Sequence, residues 1–160
     1  MIVRAARCED AVAICSIWNP LIEKSATTFT TQLKTKAGIA EDINARKGAF
    51  FVALDGEALL GFATYFPFRS GPGYARTKEH SINISPNAQG RGIARALMTA
   101  LEDHAIENGV HSLWAGISAE NPGGLAFHQK AGFTQVARLP EVGFKFGRWM
   151  DLILMQKILR

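Results

Sequence analysis

Gly90 and Gly92 stand just ahead of a helical stretch in the segment SPNAQGRGIARALMTALEDHA, residues 85–105, with Arg91 and Arg95 beside them. Neither choice favours stability by itself. Glycine adds conformational freedom that folding must remove, and cations near a helix N-terminus oppose its dipole. An anionic ligand would resolve both problems. Glycines entering a helix let backbone N–H groups point at a ligand with no Cβ in the way, and the dipole adds to the attraction. A bound phosphate would also offset the repulsion between the two arginines. A plain turn with solvated arginines fits the spacing equally well. A dinucleotide-binding Gly-x-Gly-x-x-Gly loop fits less well, because its third glycine position holds Arg95 and no downstream strand ends in a plausible ribose-binding acid.

Other reactive side chains are sparse. Cys8 and Cys15 lie seven apart, without Cys-x-x-Cys spacing, and read as reduced, buried thiols on one face of a first helix in a cytoplasmic protein. The four histidines show no metal-ligand spacing, so no metal is expected. A net charge of +4 and a pI near 9.3 imply mild attraction to anions. No dense Lys/Arg block or basic-aromatic run accompanies them, so nucleic acid is not an expected partner. The opening MIVRAARCED lacks the apolar core of a signal peptide. No apolar run approaches the ~20 residues that span a bilayer, so a membrane is not expected either.

The elements that must position these residues follow from periodicity. With 160 residues the chain is long enough for one well-cored domain, 1–160. MIVRAA reads as a strand. CEDAVAICSIWNPLIEK is a helix that Pro20 should end or kink. SATTFTTQL is a Thr-rich connection, and KTKAGIAEDINARKG a weaker helix closed by Gly48. Residues 49–68 form a hairpin around Asp55-Gly56. RTKEHSINIS is a strand stopped by Pro86. The next helix sets Ile93, Leu97, Leu101 and Ala105 on one face and ends at Asn108-Gly109. HSLWAGIS is a strand, and NPGGLAFHQKAG a short helix with Asn121 as N-cap and Pro122 first inside. FTQVARL and GRWMDLILMQKIL are closing strands separated by a loop, PEVGFKF. Interleaved helices and strands with antiparallel hairpins make a single mixed-sheet α/β domain.

Gln89-Gly90-Arg91-Gly92-Ile93-Ala94 resembles the Q/R-x-x-G-x-G/A pyrophosphate loop of the GNAT N-acetyltransferases, with Ala94 in place of the last glycine. EHSINISPNAQGRGIARALM, AGISAENPGGLAFHQKAGF and EVGFKFGRWMDLILMQ resemble three successive signatures of the phosphinothricin/methionine sulfoximine acetyltransferase branch. IWNPLIEKSATTF is similar to its N-terminal segment, so the likeness runs from about Ile2 to Leu159. The resemblance implies the GNAT fold with a splayed parallel strand pair, here Glu79–Ser85 and His111–Ser118, and acetyl-CoA lying in the gap. The pantetheine arm would pair with the backbone of Ile82, Asn83 and Ile84, as in strand addition; Ile82 and Ile84 also suit the core. Asn83 stands where the family often has Tyr. The pyrophosphate would rest on the turn from Gln89 through Gly90, Arg91, Gly92, Ile93 and Ala94 to Arg95. Asn121 matches an Asn that contacts the cofactor, and Gly123-Gly124 replaces a more usual Ala-Ser pair.

The same resemblance implies direct acetyl transfer to a small amine. An ammonium substrate must first lose a proton, and Glu79 matches the family's proposed base. His128 occupies the place of a residue that protonates the leaving thiolate. Cys8 and Cys15 lie far from every motif, which argues against a covalent route. For an amino-acid-like substrate, Arg69, Tyr74 and Arg76 offer a carboxylate clamp just upstream of Glu79. His80 and Ser81 would border the substrate, Phe29 would supply an apolar wall, and Lys145 and Phe146 would complete the pocket from the 142–149 segment. In this branch that segment often lies at a dimer interface, which implies a homodimer. A polyamine, a protein N-terminus or a noncatalytic ligand-binding role on the same scaffold are the alternatives.

Overall fold

Ile2–Ala5 (β1), Phe50–Asp55 (β2), Ala58–Pro67 (β3) and Thr77–Ile84 (β4) pair antiparallel in that order. β2 and β3 close on two residues, Gly56 and Glu57. Gly56 takes the positive φ of +59° that the first position of a tight hairpin loop requires. The computed structural model describes all 160 residues. Its single seven-stranded sheet continues from β4 to Ser112–Ser118 (β5). Arg148–Ile158 (β7) follows, and Thr134–Lys145 (β6) forms the far edge. Only β4 and β5 run parallel.

Helices cover both faces. Ala11–Lys24 (α1) and Lys36–Ala45 (α2) lie on one face, where Ile14, Ile17, Ile39 and Ile43 pack on Phe50, Val52 and Phe62. Thr35 caps α2 by accepting from the Gly38 N–H at 3.0 Å. Ile93–Glu107 (α3) and Pro122–Lys130 (α4) lie on the other. Ile93, Leu97, Leu101 and Ala105 are buried against the sheet as the spacing predicts, each large aliphatic contributing about 1.5–3 kcal/mol relative to exposure. Residues 62, 64 and 66 of β3 face α1 and α2. The β3–β4 register therefore puts Glu79, Ser81 and Asn83 on that face, and His80, Ile82 and Ile84 on the α3 side.

Three expectations need correction. α1 continues through Pro20 to Lys24 rather than ending there. PEVGFKF is not a loop. β6 runs through Pro140 with an irregularity between Leu139 and Gly143, where Glu141 adopts φ +55°, and turns back at Phe146-Gly147. An edge strand tolerates a proline because its missing N–H leaves no ladder partner unsatisfied. Cys8 sits in a 3₁₀ turn before α1 and is exposed, not buried; Cys15 is half-buried, and both thiols are free.

Candidate active site

β4 and β5 pair only at Thr77–Ser112, Lys78–Leu113 and Glu79–Trp114. Beyond that rung they part, so the β5-facing edge of His80–Ile84 has no neighbouring strand. Two adjoining cavities fill the gap, and Ile82, Asn83 and Asn121 border both, along with Thr27. The inner one, about 220 Å³, lies between the diverging strands. The outer one, about 650 Å³, runs from Ile84 to the turn before α3.

The outer groove ends on the glycine turn. Gly90 and Gly92 have φ of +78° and +77°, a conformation that L side chains rarely adopt. A Cβ on either would meet no atom within 4 Å. Both line the groove with Gln89, Ile93, Ala94 and Arg95, and Gly92 is the N-cap of α3. A long α-helix thus aims its first N–H groups at an open, glycine-lined concavity, the arrangement that suits a phosphate. Arg91 is the exception among the expected residues. Its guanidinium is turned to Asp55 in the β2–β3 turn, at 3.0 Å. Asn121 accepts from the Gly124 N–H at 3.0 Å while also bordering both cavities, so it caps α4 and faces the groove at once. A Cβ at Gly124 would lie 2.5 Å from the Asn121 amide, so a larger residue there would displace that side chain from its present position.

Glu79 stands at the last rung before the fork; it lines neither cavity itself but neighbours Gly116, which borders the inner one. It is half-buried, and its carboxylate has neither a hydrogen bond nor an ion pair within the protein. Burial pushes its pKa above the ordinary carboxylate value. Ser81, next on the same face, lines the inner cavity together with Phe29 and Trp18.

His80 and His128 form a buried pair on the other side of the sheet, each 6 % exposed, with their Nε2 atoms 2.9 Å apart. His128 Nδ1 lies 2.7 Å from the Gly124 carbonyl, which can only accept. Nδ1 therefore carries the proton and donates, and His128 Nε2 accepts from the His80 Nε2–H. His80 Nδ1 is buried without a hydrogen bond, and the Trp114 backbone only partly offsets the effect of that burial on the ring. Burial, and then the neighbouring His128, lower the His80 pKa to about 3; burial also lowers that of His128. Both rings touch the wall of the inner cavity, but in this tautomer neither presents a free N–H to it. His80 lies across the sheet from Glu79, and its ring borders the inner cavity along with Ser81.

The remaining expected residues divide. Phe29 packs against the Gly143 backbone, where a Cβ would come within 2.5 Å of its ring. Lys145 is buried and donates to the Ser25 and Thr28 carbonyls at 2.7 and 2.8 Å. It holds the segment that carries Thr27 and Phe29 rather than facing the cavity. Phe146 is 52 % exposed at the tip of the β6–β7 turn. Arg69, Tyr74 and Arg76 lie in the exposed 69–76 segment and line neither cavity. That segment still approaches the Glu79 face through a stack: Trp114 on Phe68, 5.1 Å and 23° apart, then Tyr74 and Arg69 against Phe68. Sequence reasoning missed Trp18, Trp114, Gly116 and Leu152. A glycine interrupting an otherwise apolar strand, LWAGIS, was the one signal that could have found Gly116.

Residues 16–133 match the model of the acetyltransferase (GNAT) family. The chain belongs to that family. It is 36 % identical to the L-amino acid N-acyltransferase MnaT of Escherichia coli K12, over 98 % of this chain and 92 % of that one. It is 34 % identical to an L-methionine sulfoximine/L-methionine sulfone acetyltransferase of Salmonella typhimurium, over 98 % and 93 %. A GNAT phosphinothricin acetyltransferase from Sinorhizobium meliloti, solved with acetyl-CoA, superposes with a TM-score of 0.92 at 30 % identity. That match covers 99 % of this chain and 88 % of that one. The mixed sheet and its single parallel pair are thus those of a GNAT acetyltransferase, as the glycine-turn motif implied.

Proposed function

We propose that this chain transfers the acetyl group of acetyl-CoA to the amine of a small amino acid or amino-acid analogue, with Glu79 as general base. The observation that carries this reading is an unpartnered, half-buried carboxylate at the last rung of the two parallel strands, beside Gly116 of the inner cavity, which adjoins a groove that ends on the Gly90–Gly92 turn. Relatives named for L-amino acids, methionine sulfoximine and phosphinothricin support the substrate class.

The residues present fit acetyl-CoA. The N–H groups at the start of α3 would hold its pyrophosphate, and Arg95 would add charge at the groove wall. The free edge of Ile82–Ile84 offers backbone partners to an amide-bearing arm. When bound, acetyl-CoA supplies an activated acyl carbon. The amine nitrogen bonds to that carbon as the carbon–sulfur bond breaks. Glu79 takes the proton that nitrogen loses, and sulfur leaves with the bonding pair and is protonated from water. For His128 to donate instead, its ring would have to leave His80 and Gly124. A raised pKa suits Glu79 to its task, since a base is most effective when its pKa lies near the working pH. Arg69 and Tyr74 serve the substrate carboxylate where the 69–76 segment closes over the Trp114–Phe68 stack. Lys145 and Phe146 act on the pocket through the position of the 25–29 segment and at the hairpin tip. The active form is a homodimer, and its place is the cytoplasm, where free thiols persist.

Glu79→Gln keeps size and loses proton acceptance. Turnover should fall about 10²–10⁴-fold while calorimetric affinity for acetyl-CoA stays unchanged, and the loss should shrink at alkaline pH, where more amine is already neutral. Near-normal turnover at pH 7 would remove Glu79 from the mechanism. Acetyl-CoA binding without thiol release on any of a panel of amines would make the chain a binding protein instead.

A further inference from the structure

Every residue of β5 is buried or half-buried except Gly116. Trp114 is the last β5 partner of Glu79, so the two-residue period puts Gly116 on the Glu79 face, one step beyond the rung where the strands part. There it lines the inner cavity. A Cβ at Gly116 would sit 3.7 Å from Glu79 Oε1 and 3.6 and 3.9 Å from the two Leu152 methyls. These are ordinary contacts. At Gly61 and Gly143, by contrast, a Cβ would meet its nearest atom at 2.7 and 2.5 Å, with the Asn83 backbone carbonyl and the root of the Phe29 ring close behind, so the fold itself demands glycine. The Gly116 backbone is not among those with positive φ. Neither packing nor conformation requires glycine at 116, yet glycine inside a strand weakens it. What its missing side chain leaves is room for about one methyl group at the wall of the inner cavity, between the Leu152 methyls and Glu79 Oε1. Glycine in a strand interior often marks close approach by a ligand.

We infer that Gly116 is a specificity-determining residue: its bare backbone seats the substituted carbon next to the attacking nitrogen, and so admits α-substituted amines such as amino acids bearing a side chain. The inference rests on the reading of Glu79 as the base that touches the amine. A nitrogen within hydrogen-bond reach of Glu79 has its own carbon over residue 116, so a methyl group there competes with substituents on that carbon. Glycine, with no α-substituent beyond its carboxylate, has less to lose. Leu152 flanks the space and favours an apolar first segment of the side chain.

The test compares Gly116→Ala and Gly116→Val with the unaltered protein. The probes are acetyl-CoA and a graded set of amines: glycine, L-alanine, L-valine and L-methionine sulfoximine. Thiol release gives kcat/KM for each. A pocket commonly discriminates a single methylene by about 10–200-fold. The ratio of each substituted amine to glycine should therefore fall at least about tenfold in Gly116→Ala and further in Gly116→Val, with acetyl-CoA affinity by calorimetry unchanged and thermal melting unchanged or raised. An unaltered ratio in active, folded variants overturns the inference. So does a change confined to the preference between acetyl-CoA and propionyl-CoA, which would give the space to the acyl chain, or a loss of acetyl-CoA affinity. If the unaltered protein releases no thiol with any amine, the acetyltransfer reading fails at its root; if it is active and only the variants' ratios stay flat, the Gly116 inference fails alone.

Discussion

A carbonyl that can only accept commits His128 to one tautomer, His128 in turn commits His80, and that commitment has a thermodynamic sign. Their pKa values are depressed in the folded protein, that of His80 to about 3, while an unfolded histidine titrates near 6.5. Below about pH 6.5 the unfolded chain binds protons that the folded pair refuses. The stability that the neutral pair retains above pH 6.5 is lost as pH falls towards the folded values, by about 1.4 kcal/mol per pH unit for each histidine while its folded form stays neutral. The raised pKa of Glu79 acts in the opposite direction at lower pH. Thermal melting should therefore fall between pH 6.5 and 5, and His80→Gln with His128→Gln should flatten that slope even though both changes lower stability at pH 7. An equal slope in the double variant would show that other groups carry the acid sensitivity.

At the scale of elements, the turn and first residues of α3 form the anion-facing part of the groove. Gly92→Val places a β-branched residue at φ +77°, a strain on the order of 1–3 kcal/mol. The turn should distort, and acetyl-CoA affinity measured by calorimetry should drop at least about tenfold with the domain still folded. Unchanged affinity would leave the turn a purely structural device. This helix was the most legible part of the chain, because Ile93, Leu97, Leu101 and Ala105 repeat at helical spacing and all four are buried. The β2–β3 hairpin was legible for its turn residues, and Glu79 and the glycines for their motif. The path of β6 was not, since Pro140 imitates a loop signal and only its edge position makes it harmless. The separation of β4 and β5 was legible only through resemblance: Ile82, Ile84, Ala115 and Ile117 alternate as they would in a fully paired sheet. Gly116, Trp18 and Leu152 reach the cavity from three distant parts of the chain, a proximity that no local pattern encodes.

The whole molecule presents one conspicuous apolar surface. Val136, Val142 and Phe144 on edge strand β6, Phe146 in its turn and Trp149 at the start of β7 are each 46–60 % exposed, with Phe144 and Trp149 rings 4.9 Å apart. An exposed cluster of this kind on a free sheet edge favours association, and aromatic residues are favoured at interfaces. Light scattering at assay concentration should report about twice the 17.4 kDa chain mass, and Phe144→Ser with Trp149→Ser should return it to one chain. A single-chain mass with full activity would refute the dimer. The same end of the molecule governs the order of assembly. β7 lies between β5 and β6, and the Lys145 ammonium reaches back 120 residues to the Ser25 carbonyl. While a ribosome is still extending the chain, β5 has no partner on that edge, and nothing yet holds the 25–28 segment beside the gap. The nascent protein can form its first hairpins and α3 early, but the pocket acquires its outer wall only after residue 145 has emerged and β7 has slotted into place. Catalytic competence therefore waits for the β6–β7 hairpin, well after the sheet's first strands and α3 can form.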